Sequence, residues 1–142
     1  MLVRLMYASR ARAGLDTEEA AAILRQSRAS NPPQGITGVL CLCPSGLFIQ
    51  VLEGGRDPVN ALYNRITRDA RHHQVTLLRY EEIAERRFAG WSMGQVNMAR
   101  LNPALVLKYS ETTALDPWSV PGQAIEAMFD EMVASAAVMG SA

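Results

Sequence analysis

The stretch from residue 35 to 54, GITGVLCLCPSGLFIQVLEG, constrains this chain more than any other. Two apolar runs, residues 36–43 and 47–52, flank Pro44-Ser45-Gly46. Proline presets φ for a turn, and glycine supplies the positive-φ residue that closes a short hairpin. Val, Ile and Leu occupy both alternating faces, so the pattern predicts a hairpin inside a sheet covered on both sides. Gln50 breaks the pattern. It lies mid-strand, and a period of two puts it on the face of Phe48. A buried glutamine must satisfy two donors and an acceptor oxygen. The ordinary explanation is a core glutamine with internal partners.

The 142 residues suit one domain with a real core and are short for two. The net charge of zero argues against nucleic acid as the main partner, since no excess of Lys and Arg is present to neutralise phosphates. Lys108 is the lone lysine among scattered arginines. No apolar run reaches membrane-spanning length, and the N-terminus enters a strand pattern without a signal peptide. The expectation is a cytoplasmic protein that uses no membrane. Cys41 and Cys43, two apart on one strand face, cannot easily bridge each other and complete no zinc site. They read as small buried hydrophobes.

Residues 2–8 (LVRLMYA) predict a central first strand, with Tyr7 and Ser9 on one face. Asp16 and Glu19 form a capping-box pattern for a first helix, whose inner stripe is Ala20, Ile23, Leu24 and Ser27. Asn31-Pro32-Pro33 stops it. Asp57-Pro58 reads as an N-cap and first helical position, and Val59, Leu62, Tyr63 and Ile66 form a buried stripe on the second helix. Arg65 and Asp69, four apart on another face, are within reach of each other. Residues 75–83 predict a fourth, less buried strand. Residues 91–98 predict a short fifth one, with Trp91 and Met93 on a shared face.

The order βαββαββ suggests an α+β, ferredoxin-like fold: a mixed five-stranded sheet with two helices on one face. Strands one and three are expected to be parallel neighbours, with Tyr7 beside Gln50 if the register allows. Residues 1–98 form the main domain in this reading, and 99–142 a helical extension. A short helix is expected at 102–109. A second carries Ile125, Met128, Phe129, Met132 and Ala136 on one stripe, which either covers the second sheet face or pairs with another subunit.

No nucleophile triad and no phosphate loop is suggested. His72 and His73, taken alone, read as surface residues. What remains is a set of polar and aromatic residues on strand faces: Tyr7, Ser9, Asn31, Gln50, Trp91 and Met93. An apolar pocket with a few convergent amides and hydroxyls is a ligand site rather than a hydrolase centre.

Five stretches, LMYAS (5–9), Asn31 with GITGVL (35–40), FIQVLEG (48–54), LYNRITRDARH (62–72) and RFAGWSMG (87–94), together resemble the BLUF family, the blue-light sensors that use FAD. They span residues 1 to about 98 in family order and spacing. The chain also resembles the short class, which carries no enzyme domain in the same chain. The resemblance implies an isoalloxazine ring between the two helices, facing the sheet. It makes Tyr7 the electron and proton donor, and Gln50 the amide between Tyr7 and the ring. Asn31 would bond the pyrimidine edge. Ser9, Trp91 and Met93 would line the Gln50 side, Arg65, Asp69 and Arg71 the polar margin, with Phe48 and His72 also in the binding set. FAD is the implied cofactor, with FMN or riboflavin possible.

A glutamine amide can exchange its donor and acceptor ends, so it can hold two hydrogen-bond states of similar energy, as a switch requires. The leading expectation is a photoreceptor without enzymatic activity. It would pass a red-shifted state, through Trp91–Met93 and the C-terminal helices, to an unidentified downstream protein, and it would form a homo-oligomer. The rivals are a small ferredoxin-like flavin or haem oxidoreductase and a light-indifferent binding module that keeps only the fold.

Overall fold

The computed structural model of the chain describes residues 1–12, 17–43, 45–96, 102–134 and 138–139. The elements run β1 (Leu2–Ala11), α1 (Thr17–Ser30), a 3₁₀ turn (Pro32–Gln34), β2 (Thr37–Leu42), β3 (Leu47–Gly55), α2 (Arg56–Thr67), β4 (His72–Ile83), β5 (Gly94–Val96), α3 (Pro103–Tyr109), α4 (Gly122–Ala134) and β6 (Val138–Met139). The sheet order is β4-β1-β3-β2-β5-β6. The β2–β5 pair is parallel and the others are antiparallel, so the sheet is mixed.

Strands β1 and β3 are neighbours, but antiparallel rather than parallel. The reason is topological. The helical crossover brings β2 back parallel to β1, and the hairpin then reverses the chain. β3, inserted between them, must oppose both. Gly46 closes that hairpin at φ 91°, a backbone state in which a side chain would be strained. Pro44 and Asp16, the expected cap of the first helix, lie outside the described residues.

Other boundaries differ from the sequence expectation. Helix α2 is capped by Gly55, because β3 runs directly into it; Asp57 sits in the first turn, where it still complements the helix dipole. β4 begins at His72. The fifth strand is only Gly94–Val96 in the described residues, which exclude Asn97 and Met98. The Trp91 N–H is spent on a turn to the Phe88 carbonyl, so strand pairing starts later, at Gly94 opposite Val39. A sixth, two-residue strand lies in the extension, where the sequence carries no strand signal.

The period of two sorts the strand residues into two cores. Val3, Leu5, Tyr7, Leu40, Phe48 and Leu52 share a cluster with Leu24 of α1 and Val59 of α2. Met6, Ala8, Val39, Cys41, Ile49 and Val51 share the other with Val106 of α3 and with Ile125, Met128, Phe129 and Met132 of α4. Those four α4 side chains are fully buried, and each contributes roughly 1.5–3 kcal/mol of apolar burial. The extension's stripe is therefore covered within the chain itself; Ala136 lies outside the described residues. Gly122, first in α4, sits so close to the Leu78 carbonyl that a Cβ would lie 2.4 Å from its oxygen, so only glycine lets the helix approach β4 there.

Candidate functional site: a cavity over a tyrosine–glutamine pair

Tyr7 and Gln50 are direct cross-strand partners, a relation that brings side chains of one face within about 5 Å at Cβ. The Tyr7 hydroxyl donates to Gln50 Oε1 at 2.5 Å. The other end of the amide, Nε2, points at Met93 Sδ, 3.4 Å away. All three side chains are buried. Arg28 of α1 donates to the Met93 carbonyl at 3.1 Å, which fixes the backbone behind that sulfur.

Above this pair is a cavity of about 370 Å³, within the roughly 300–1,000 Å³ range of small-molecule sites. Ile23, Gln26, Ser27 and Ser30 of α1 line one side; Leu62, Arg65 and Ile66 of α2 line the other. Tyr7, Leu40, Phe48 and Gln50 come from the sheet, and Asn31, Gln34, Asp69, Arg71 and His72 complete it. Eight of the sequence-chosen residues thus meet around one space: Tyr7, Asn31, Phe48, Gln50, Arg65, Asp69, Arg71 and His72.

Ser9 and Met93 stand behind the lining rather than in it. Ser9 Oγ is 2.8 Å from His72 Nδ1, and His72 Nε2 is 2.7 Å from the Ile66 carbonyl. A carbonyl only accepts, so Nε2 carries a proton; in the neutral ring Nδ1 then accepts from the Ser9 hydroxyl. So held, the imidazole stands edge-on to Tyr7 and Phe48, at 84° and 79°.

Trp91 requires a correction. It packs against the cluster that contains α3 and α4, whereas Met93 belongs to the cluster under α1 and α2. The two do not share a face, and Trp91 does not line the Gln50 side. The chain is not in strand form at 91–93, so the alternation assumed for a strand does not apply. A second correction concerns Asp69. It is bound by Arg71, at 2.5 Å between Nη2 and Oδ2, not by Arg65. The helix ends at Thr67, so the i,i+4 spacing from Arg65 no longer brings Asp69 to its side. Arg71 also reaches Gln26 Oε1 at 3.2 Å and so crosses the cavity mouth.

The polar residues Gln26, Ser30 and Gln34 were not singled out from sequence. Their spacing of four was the available signal: it carries one polar row along α1 and into the 3₁₀ turn.

Burial pushes the Tyr7 phenol well above its ordinary range, with Tyr63 and Asp69 adding to the effect and Arg71 opposing it. The proton therefore stays on Tyr7, directed at Gln50. The Arg71 hydrogen bonds hold the Asp69 carboxyl below its usual range. The stability from this pair is present above the unfolded value of about 4 and is lost as pH falls through the lower native value. Both groups are partly exposed, so the expected contribution is under about 1 kcal/mol. Urea melts between neutral pH and pH 3 should show wild type above Asp69→Asn at neutral pH, with the gap closing in acid. A gap unchanged in acid would rule the pair out as its source.

The lining suits a flat fused heterocycle. Ile23, Leu40, Phe48, Leu62 and Ile66 supply apolar surface, and amides and charged groups stand at the edges. Asn31 is 3 % exposed, and its side chain caps nothing on the 3₁₀ turn, which leaves a buried amide for a ring edge. Among the described residues no helix is long and apolar enough to cross a membrane, and no group of His, Cys, Asp or Glu could hold a metal ion.

Comparison with known proteins agrees with this geometry. Residues 2–94 match the model of the BLUF family, described as sensors of blue-light using FAD. A photoactivated adenylate cyclase subunit beta from Euglena gracilis is 41% identical over 85 residues, 60% of this chain and 10% of that protein. The chain thus spans about a tenth of the length of the curated relatives it matches. Among solved structures, the photo-activated state of BlsA has a TM-score of 0.82 at 31% identity, covering 94% of this chain and 95% of that one. The dark state of BlrB, described as a BLUF protein, has a TM-score of 0.79 at 32% identity, covering 95% and 96%. This chain belongs to the BLUF family and is a flavin-binding sensor of blue light.

Proposed function

We propose that this chain is a light-driven switch in which Tyr7 and Gln50 do the chemistry, and that residues 99–142 carry the signal to another protein without any activity of their own. The observation that carries the reading is the continuous contact from the Tyr7 hydroxyl through the Gln50 amide, both on the floor of the cavity, to Met93 behind it. When bound, the flavin supplies blue-light absorption and an excited state that accepts an electron. Tyr7 is placed to give up that electron and, from Oη, the proton that already points at Gln50 Oε1. If Oε1 takes that proton, Nε2 must release one in turn, to the reduced ring that a bound flavin would supply. The amide then stays neutral, and its new tautomer, or its rotated form once the proton returns, presents a second set of donors and acceptors.

In this reading Asn31 bonds a ring edge, Phe48 and the apolar lining hold its faces, and Arg65, Asp69, Arg71 and His72 set the polar margin. FMN or riboflavin could occupy the same ring contacts. Asp69, the cavity's carboxylate, is tied to Arg71, which speaks against substrate-side acid–base work by an oxidoreductase. The structural matches extend over 94–95% of the chain, which supports treating the C-terminal helices as part of the sensor.

The test joins two readouts. The yellow, flavin-loaded protein should show a reversible red shift under blue light, and amide hydrogen exchange in α4 should differ between dark and lit states. An intact shift with identical α4 protection would remove the helices as the output element. A coloured protein with no shift would remove the switch.

A further inference from the structure

We propose that Glu53 is a positioning residue for the switch: it pins the segment that leads to Met93 against β3 and joins that segment to α4. The proposal rests on the reading of α4 as the output element and names the route by which α4 is reached.

Glu53 lies three residues beyond Gln50 on the same strand, facing the other side of the sheet. Its side chain is fully buried, and a buried carboxylate must be paired and hydrogen-bonded. Its partners are specific. Oε2 accepts from Arg4 Nε at 2.8 Å and from the Arg87 backbone N–H at 3.0 Å. Oε1 accepts from the Phe88 backbone N–H at 2.6 Å. Two successive backbone amides are thus fixed at the start of the segment whose far end is Met93. β3 grips this segment twice, by a carboxylate at residues 87–88 and by the Gln50 amide at Met93. The first grip has no exchangeable donor end; the second does.

From the fixed grip, two connections reach α4. Arg4 Nη1 donates to Glu126 Oε1 at 3.2 Å. The Arg87 side chain contacts Glu126 at 3.2 Å and Asp130 at 2.9 Å. Glu126 and Asp130 are one turn apart on α4, so both carboxylates meet the arginines from one helix face.

Arg79 Nε is 2.6 Å from Glu126 Oε2, yet both atoms, and Asp130 Oδ1, are buried without an aligned hydrogen bond. Desolvation offsets most of what a buried ion cluster gains, and misaligned pairs gain less. Glu126 lies within ion-pair distance of Arg4, Arg79 and Arg87, so its carboxylate has more than one arginine to pair with. A displacement of the segment, held at 87–88 and released at Met93, has such an element to bias.

The test uses the full FAD-loaded chain and compares wild type with Glu53→Gln and Arg87→Gln. Each variant should keep the red shift, because neither residue lines the cavity. The light-minus-dark difference in α4 hydrogen exchange should fall by roughly 2- to 30-fold, the usual range for residues that carry coupling. A role in stability alone would shift dark and lit protection together and leave the difference intact. A difference equal to wild type in both variants overturns the route while leaving α4 as the output. The absence of a difference in wild type overturns the route and the output reading together. Should Glu53→Gln fail to fold, Arg87→Gln, at a side chain 40% exposed, decides the question alone: a retained difference overturns the route, and a reduced one supports it.

Discussion

Tyr7→Phe is expected to bind flavin and to show no red shift under blue light. The substitution removes one atom, the hydroxyl oxygen that donates to Gln50 Oε1 at 2.5 Å. The ring keeps its surroundings, Tyr63 at 5.8 Å and the edge-on His72 at 6.4 Å between centroids. The cavity therefore keeps its shape. Losing the hydrogen bond and leaving Gln50 Oε1 unpaired should cost about 1–3 kcal/mol of stability, a loss a domain with two buried cores can absorb. In the proposed switch the phenol is the group that gives an electron and a proton, and burial raises its pKa so that the proton is in place in the dark. Phenylalanine has no proton to give. The check is a difference absorption spectrum, lit minus dark, at matched flavin occupancy. A normal photocycle in Tyr7→Phe would mean that the donor is another residue.

The parts of the molecule legible in the sequence were those that depend on local pattern. The alternation around Gln50, the turn glycine Gly46 and the stripe from Val59 to Ile66 placed a hairpin and a helix correctly. The ferredoxin-like arrangement made Tyr7 and Gln50 neighbours only if the register allowed, and the register does pair them. That β1 and β3 are neighbours depends on β3 inserting between β1 and β2, which no single stretch encodes. Their antiparallel direction follows from the crossover and the hairpin, and the expectation of a parallel pair overlooked that reversal. Asp69 was given to Arg65 on helical spacing. The helix stops at Thr67, and two residues of irregular backbone hand the carboxylate to Arg71. Trp91 and Met93 illustrate the same limit: i,i+2 residues share a face only when both lie in a strand.

The ion cluster around Arg4 and Glu53 was illegible for a different reason. Its members are spread over β1, β3, β4, the segment before β5, and α4. Each, taken alone, reads as a charged surface residue. Only the cross-strand register Arg4↔Glu53 and the docking of α4 bring them under cover. The polar strand residues pointed to a ligand pocket, but its place between the two helices came only through resemblance. Ile23, Ser27, Leu62 and Ile66 carry the same helical stripe whether they meet the sheet or stand back from it, and the space they leave is a tertiary property.

Gln50→Leu should be the second variant that keeps flavin and loses the shift, for a reason complementary to Tyr7→Phe. Leucine nearly matches the volume of glutamine but offers no donor and no acceptor. Tyr7 Oη loses the oxygen it points to, and Met93 Sδ loses the N–H 3.4 Å away. The stability change combines a phenol left without its acceptor, costing about 1–3 kcal/mol, with apolar burial in a strand whose neighbours Ile49 and Val51 are already buried. The net effect should be small. Flavin should stay, since the amide is one polar contact among an apolar lining and several other polar groups. What disappears is the element with two arrangements, because no rotation of a leucine side chain exchanges a donor for an acceptor. Met93→Ala is the control: it removes the partner of Nε2 but leaves the amide and the phenol, so the shift should persist with an altered dark-recovery rate. The measurement is the same difference spectrum, followed in time after illumination. Wild-type photocycling in Gln50→Leu would show that the amide is a bystander. An abolished shift in Met93→Ala would move the switch from the amide to its contact with the sulfur.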